Sequence, residues 1–211
     1  MRARLGTALA AVLLVGGCAS GSSDGTGPGA AADVRAGDSG GWRGTAIRSG
    51  YPLPDETFTD TAGHEVVPAQ DASTPVTLVF FGYTSCPDIC NVVLANIASA
   101  LRGATEPARD ATRLMFVSTD PGRDTPEVVR DYLDRFDPTY EGLVAPPGTV
   151  EEAAAALHVS VERADGSTGD YEVDHGTHVT AFLDGSARVV WSETTPVEDI
   201  RADLERLARL A

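Results

Sequence analysis

The chain contains no lysine, and all 16 of its basic residues are arginine. The absence of lysine excludes phosphate-binding loops of the Walker type and catalysis through a lysine Schiff base. Acidic residues outnumber basic residues by 31 to 16, which gives a net charge of −15. Such a chain lacks the basic surface that nucleic-acid binding requires, so we predict no nucleic-acid partner. Methionine occurs only as Met1 and Met115, which argues against a metal carrier built from clustered thioethers.

Cysteine is also scarce, with three residues in 211, and the first of them lies in an N-terminal leader. Arg2 and Arg4 precede a short apolar run at residues 5–15, which is too short to span a bilayer as a mature helix. The segment Val15-Gly16-Gly17-Cys18 that follows resembles the lipobox of a bacterial lipoprotein. The resemblance implies that residues 1–18 form a lipoprotein signal peptide and that Cys18 becomes the lipid-modified N-terminus. An ordinary secretory peptide is the alternative.

Residues 19–41 consist mainly of small and polar residues and contain almost no large apolar side chain. Because such a segment cannot bury a core, we predict a flexible tether. Trp42 is the first large apolar side chain after it, so one globular domain is predicted over residues 42–211. With a lipid on Cys18, this domain is expected at the cell membrane, on its extracytoplasmic side.

The two remaining cysteines follow a predicted buried strand. Residues 76–81 are apolar, β-branched or aromatic, and Gly82 ends this run. Beyond it, apolar residues recur every four positions, as on one face of a helix: Ile89, Val93, Ile97 and Leu101. Ser85 is predicted to cap this helix. Cys86 and Cys90 would therefore lie about one turn apart at a helix N-terminus, where backbone N–H groups and the helix dipole favour the thiolate.

Two thiolates on one side of a helix suit a soft metal ion or a reversible disulfide. In an oxidising compartment the pair Cys86 and Cys90 would tend to form a disulfide unless it is reduced or holds a metal. The alternative is a pair of buried core cysteines without further chemistry.

The rest of the chain alternates strands with helices. Hairpins are predicted around Thr61-Ala62-Gly63 and Asp184-Gly185, and a second buried strand at residues 114–117. Helix starts are predicted at Thr125, Thr149 and Thr195 from capping patterns. This order predicts an α/β sheet with its ligand site at the ends of strands. The cysteine pair makes the fold thioredoxin-like, with an N-terminal β-hairpin extension and a β-hairpin insertion before the C-terminal helix.

Three motifs closely resemble those of the Sco/SenC family. They are Gly82–Cys90 (Gly-Tyr-Thr-Ser-Cys-Pro-Asp-Ile-Cys), Val117–Pro126 after the next strand, and Asp170–His175 (Asp-Tyr-Glu-Val-Asp-His). They follow one another in the order and spacing of that family. The resemblance implies a thioredoxin-like fold and the binding of copper, as Cu(I) or Cu(II). It also implies a role in building the dinuclear copper centre of cytochrome c oxidase. By the same resemblance, Cys86 and Cys90 are the thiolate ligands and His175 is the imidazole ligand.

The identity of the histidine ligand leaves an alternative. His178 is a rival, because Phe182-Leu183-Asp184 lies at an unusual distance from His175 for this family. Asp88 and Asp174 could supply an oxygen ligand or an outer-shell hydrogen bond, or serve only capping and solubility. The other two histidines, His64 and His158, are predicted to be structural. Zinc could also accept two cysteines and one histidine together with water.

Two related functions follow from the resemblance and from the residues. The first is a metallochaperone that delivers copper to the copper-bearing subunit of cytochrome c oxidase or exchanges it with another copper carrier. The second is a thiol–disulfide reductase that uses Cys86 and Cys90 to keep a partner's copper-ligand cysteines reduced, a reaction that would not need His175. A peroxidase is disfavoured, because the proline expected before Thr84-Ser85-Cys86 is missing. The domain is expected to act as a monomer.

Overall fold

The computed structural model describes residues 40–71, 73–163 and 173–211, with the backbone only for residues 162–163 and 173–175. The strands in this part of the chain are β1 (Thr45–Ala46), β2 (Phe58–Asp60), β3 (Glu65–Val66), β4 (Val76–Gly82), β5 (Thr112–Ser118), β6 (Glu141–Val144), β7 (Val161–Arg163), β8 (Val173–His175), β9 (Val179–Leu183) and β10 (Ser186–Trp191). The helices are α1 (Ile89–Gly103), α2 (Glu106–Asp110), α3 (Pro126–Leu133), α4 (Pro147–Ala156) and α5 (Val197–Leu210). Within these described ranges, no helix combines the length and the apolar character that crossing a membrane requires.

Eight of the strands form one sheet in the order β1-β10-β9-β4-β5-β6-β2-β3, while β7 and β8 pair separately. Strands β4, β5 and β6 run parallel, and β9 runs antiparallel to β4. Gly82 at the end of β4 lies opposite Ser118 at the end of β5. The loops that follow these two strands therefore leave the same edge of the sheet, which is where α/β sheets bind their ligands.

Helices cover both faces of the central strands. Leu78 and Phe80 of β4 belong to a core cluster that also contains residues of α1, α3 and α5. Val79 and Phe81 point to the opposite face and belong to a second cluster, which includes residues of α4. This division follows from the two-residue period of a strand, and both faces of β4 are buried. The predicted α/β architecture is confirmed.

Both predicted hairpins are present. Strands β2 and β3 pair at one edge of the sheet, next to β6. Strands β9 and β10 pair around Asp184 and Gly185, which both have positive φ angles, of 49° and 74°. Two consecutive residues with positive φ are typical of the tight turn that joins two antiparallel strands. The β9–β10 hairpin belongs to the main sheet, where it lies between β4 and the edge strand β1.

One of the predicted helix starts is confirmed, and the others are wrong. Thr125 caps α3 as expected, because its hydroxyl accepts a hydrogen bond from the Val128 amide. The prediction for Ser85 is wrong, since α1 begins only at Ile89 with Asp88 at the capping position. Thr149 lies inside α4, which begins at Pro147, and Thr195 lies one residue before Pro196, the capping residue of α5. Proline suits the first helical position, since its φ is already helical and it needs no N–H partner there.

The first described residues are fastened to the C-terminal helix. The carboxylate of Asp203 accepts hydrogen bonds from the amides of Arg43 and Gly44, each at 2.8 Å, and from the indole N–H of Trp191 at 2.9 Å. Only 1% of Asp203 is exposed. The guanidinium of Arg206 also lies 4.4 Å from the centre of the Trp42 ring. The start of the domain is thus joined to α5 through a buried charge whose hydrogen bonds are satisfied.

Candidate metal centre

The two cysteines follow the C-terminal end of the central strand β4. Cys86 is in the turn before α1 and is 7% exposed, and Cys90 is in the first turn of α1 and fully buried. The Cys90 amide donates a hydrogen bond to the Cys86 sulfur at 3.5 Å. The two residues are not joined in a disulfide. The structure therefore brings both sulfurs into one buried cluster, with one of them close to the surface.

Gly82 leaves room for the sulfur of Cys90. A Cβ atom placed on Gly82 would lie 3.1 Å from the Cys90 sulfur and 2.9 Å from Cε2 of Phe116. Both distances are shorter than ordinary van der Waals contacts. The sulfur thus packs directly against the backbone of β4, and a side chain at this position would displace it.

Burial governs the electrostatics around the sulfurs. It raises the pKa of the Cys90 thiol well above its usual range, and the hydrogen bond with Cys86 adds to this rise. Burial also raises the pKa of Tyr132, and negative charge on Cys90 or Cys86 would raise that pKa further. The Tyr132 hydroxyl is buried and has no hydrogen-bond partner among the described atoms. A proton on Cys90 is therefore strongly held unless a cation replaces it, which is the opposite of the thiolate expected for Cys90 from its place at a helix N-terminus.

A second polar loop supports the turn that carries Cys86. The carboxylate of Asp124 accepts hydrogen bonds from the Thr84 hydroxyl at 2.6 Å, the Thr84 amide at 3.1 Å and the Ser118 hydroxyl at 2.6 Å. Burial raises the pKa of the Asp124 carboxyl, and the hydrogen bonds from Ser118 and Thr84 oppose this rise. In the same loop, Arg123 forms an ion pair with the buried carboxylate of Asp120. The motif containing these residues was found in the sequence, but their contacts with the cysteine turn were not predicted.

The structure describes the surroundings of only one of the two rival histidines. The backbone of His175 is in β8, opposite Val161, and its side chain lies outside the described atoms. His178 lines a cavity of about 310 Å³ together with Tyr51, Leu157 and His158. Tyr51 and Leu157 belong to the core cluster on the opposite face of the sheet from the cysteines. The His178 imidazole therefore lies beside residues of the core cluster that does not contain the two cysteines.

The remaining candidate residues have other surroundings. His64 is exposed, and its Nδ1 atom lies 3.2 Å from a carboxylate oxygen of Asp60. His158 is exposed and has its ring edge-on to Tyr51, at 5.3 Å between ring centres. Asp88 is exposed at the start of α1, and the side chain of Asp174 lies outside the described atoms, as do Asp170 and Tyr171. Among the side chains that the structure describes, no three Cys, His, Asp or Glu residues converge as a metal cluster.

The fold and the site together define a thioredoxin-like protein with a buried Cys-x-x-x-Cys pair at the start of its first long helix. The model of the SCO1/SenC family matches residues 54–209, and the chain belongs to this family. The predicted thioredoxin-like fold and the predicted family are both confirmed.

Solved and curated proteins give the same assignment. Apo Sco1 from Thermus thermophilus is 31% identical, with a TM-score of 0.71 over 79% of this chain and 96% of that one. Copper-bound ScoI from Bradyrhizobium japonicum is 33% identical, with a TM-score of 0.64 over 75% of this chain and 98% of that one. A putative copper-binding protein from Stutzerimonas stutzeri is 31% identical over 112 residues, 53% of this chain and 55% of that protein. The chain spans about half the length, or less, of the first curated relatives that it matches.

Proposed function

We propose that this protein binds one copper ion through Cys86, Cys90 and His175 and delivers it to the dinuclear copper centre of cytochrome c oxidase. The observation that carries the proposal is the placement of both sulfurs in one cluster at the edge of the sheet. Copper is present in ScoI from B. japonicum, which shares 33% of its residues with this chain. BsSco, a neighbour in fold, is a member of the Sco family of cytochrome c oxidase assembly proteins.

The donor set suits both oxidation states of the proposed cargo. Cu(I) is a soft ion that two thiolates can hold, whereas Cu(II) prefers a set that includes nitrogen or oxygen. Loading the site would release the proton of Cys90, whose pKa is raised by burial. Because a proton competes with the metal, copper affinity should fall as the pH is lowered.

We expect His175→Ala to weaken Cu(II) binding by at least about 10-fold, and Cu(I) binding by less, because two thiolates remain for the softer ion. The matched control is His178→Ala, which removes an imidazole on the opposite face of the sheet. Each variant is titrated with Cu(II) by absorption and with Cu(I) against a competing chelator. If His178→Ala loses the Cu(II) spectrum and His175→Ala retains it, the ligand assignment is wrong. If neither substitution changes copper binding, the thiolate pair alone is the site.

A second candidate function is reduction of a disulfide in a partner protein. The asymmetry of the pair favours it, because Cys86 lies near the surface while Cys90 is fully buried behind it. In such a reaction the Cys86 thiolate would attack the partner's disulfide and form a mixed disulfide. Cys90 would then displace the partner's thiol, leaving Cys86 and Cys90 oxidised and the partner reduced by two electrons. If His175→Ala no longer binds copper but still reduces a model disulfide, the result would favour this function.

We also propose that the domain is held at the extracytoplasmic side of the cell membrane by a lipid on Cys18. The support is the lipobox-like segment at residues 15–18 and the polar stretch at residues 19–41. We expect Cys18→Ala to move the protein from the membrane fraction to the soluble fraction. Cys86→Ala, which alters a cysteine of the folded domain, is the control and should stay with the membrane. Retention of Cys18→Ala in the membrane fraction would contradict the lipid anchor.

A further inference from the structure

We propose that Asp124 is a positioning residue, which fixes the turn carrying Cys86 so that the two sulfurs keep the spacing needed to share one ligand. This inference rests on the proposed function of the cysteine pair. Asp124 does not itself lie in the Cys-x-x-x-Cys segment. It belongs to the loop after β5, in the sequence Asp120-Pro-Gly-Arg-Asp124.

The geometry shows how one carboxylate joins two loops. Oδ1 of Asp124 accepts from the Thr84 hydroxyl at 2.6 Å, while Oδ2 accepts from the Thr84 amide at 3.1 Å and the Ser118 hydroxyl at 2.6 Å. Thr84 is only two residues before Cys86. Both its backbone and its side chain are thus held by a group anchored at the end of the neighbouring strand.

The strand before the turn is held by the same loop. The Thr119 amide donates to the carbonyl oxygen of Gly82 at 2.8 Å, and the Thr119 hydroxyl donates to the same oxygen at 3.2 Å. Gly82 is the residue against which the Cys90 sulfur packs. The β5–α3 loop therefore fixes the chain on both sides of Tyr83, so that little movement is left between Gly82 and Cys86.

A buried carboxylate is costly unless its oxygens are hydrogen-bonded, and Asp124 is only 1% exposed. The donors that satisfy it are the groups of the turn and of β5, so a displaced turn would leave the charge partly unsatisfied. Because moving the turn would cost free energy, the Asp124 carboxylate can hold the turn in one conformation.

The chain offers a matched control for a general effect of removing a buried charge. Asp203 is also 1% exposed and also accepts three hydrogen bonds, but its donors are Arg43, Gly44 and Trp191. Asp124→Asn and Asp203→Asn should both lower stability. Only Asp124→Asn should change the properties of the cysteine pair.

The test measures Cu(I) affinity against a competing chelator and, without metal, the equilibrium of the cysteine pair with glutathione. In this equilibrium, glutathione disulfide oxidises Cys86 and Cys90 to a disulfide and yields two molecules of glutathione. We expect Asp124→Asn to lower Cu(I) affinity by about 10-fold, the lower end of the range for outer-shell partners, because Asp124 acts on Cys86 through Thr84. We also expect about a tenfold shift of the thiol equilibrium toward the dithiol, because a loosened turn lowers the effective concentration of one sulfur at the other.

Substitutions at Thr84 keep the test decisive if Asp124→Asn folds poorly. Thr84→Ser retains both donors and should behave like the parent, whereas Thr84→Val loses the hydroxyl donor and should show part of the Asp124→Asn effect. Parental affinity and parental thiol equilibrium in Asp124→Asn and Thr84→Val would overturn the proposal, as would an equal change in Asp203→Asn. A parent protein that binds no copper would overturn the proposed function instead, and the thiol equilibrium alone would then decide the role of Asp124.

Discussion

Replacement of Cys90 by alanine is expected to lower Cu(I) affinity by at least about 100-fold, which exceeds the loss expected when only an outer-shell partner is removed. Cys90 is fully buried, and its sulfur packs against the backbone of β4 at Gly82. The surrounding core residues are apolar and could not replace a thiolate donor. The site left to Cys86 and His175 would offer only one thiolate, which is a weaker ligand set for a soft ion than two.

The measurement is a Cu(I) titration against a competing chelator, with the thermal unfolding midpoint recorded in parallel. Val93→Ala is the control, since Val93 is a buried residue one turn further along α1 and carries no donor atom. This variant should lose stability but keep its copper affinity. Parental Cu(I) affinity in Cys90→Ala would refute the assignment of Cys90 as a ligand.

The largest loss of stability is expected from Asp203→Ala, which should lower the free energy of unfolding by about 3 kcal/mol. The substitution leaves two backbone amides and the Trp191 indole N–H without their acceptor, and each buried unsatisfied donor costs about 1–3 kcal/mol. Partial access of water to residues 43 and 44 keeps the total near the lower end of the summed costs.

Urea unfolding followed by tryptophan fluorescence measures this loss, because Trp191 contacts the substituted residue directly. Glu205→Ala, on the same helix but not buried, is the control and should change the free energy of unfolding by less than about 0.5 kcal/mol. A change of similar size in both variants would show that Asp203 does not fasten the start of the domain to α5.

The sequence alone was sufficient for features that depend on local patterns. The run at residues 76–81 predicted β4, and the four-residue apolar repeat predicted α1, because burial of one face imposes these periods. The turn at Asp184-Gly185 and the cap at Thr125 were also predicted, since both depend on conformational preferences of one or two residues. The proximity of Cys86 and Cys90 at the start of α1 followed from their spacing in the same way.

Capping residues alone did not fix where two helices begin. Ser85 and Thr149 are good capping residues, but α1 begins four residues after Ser85, and α4 begins before Thr149. At α4 the fixed φ of Pro147 begins the helix two residues before Thr149. The short helix α2 was not predicted, because five residues are too few for a helical period to be recognised.

What the sequence by itself determined is the class of fold, the family and the cysteine pair, because each depends on residue types at fixed spacings along the chain. Only the tertiary structure decided which distant groups meet. It brought Asp124 to Thr84, 40 positions apart, and Asp203 to Arg43, 160 positions apart. It also placed His178 on the face of the sheet opposite the cysteines, although the sequence left it as a rival to His175. These outcomes depend on strand order and on the face to which each side chain points, and neither is encoded in the spacing of a motif.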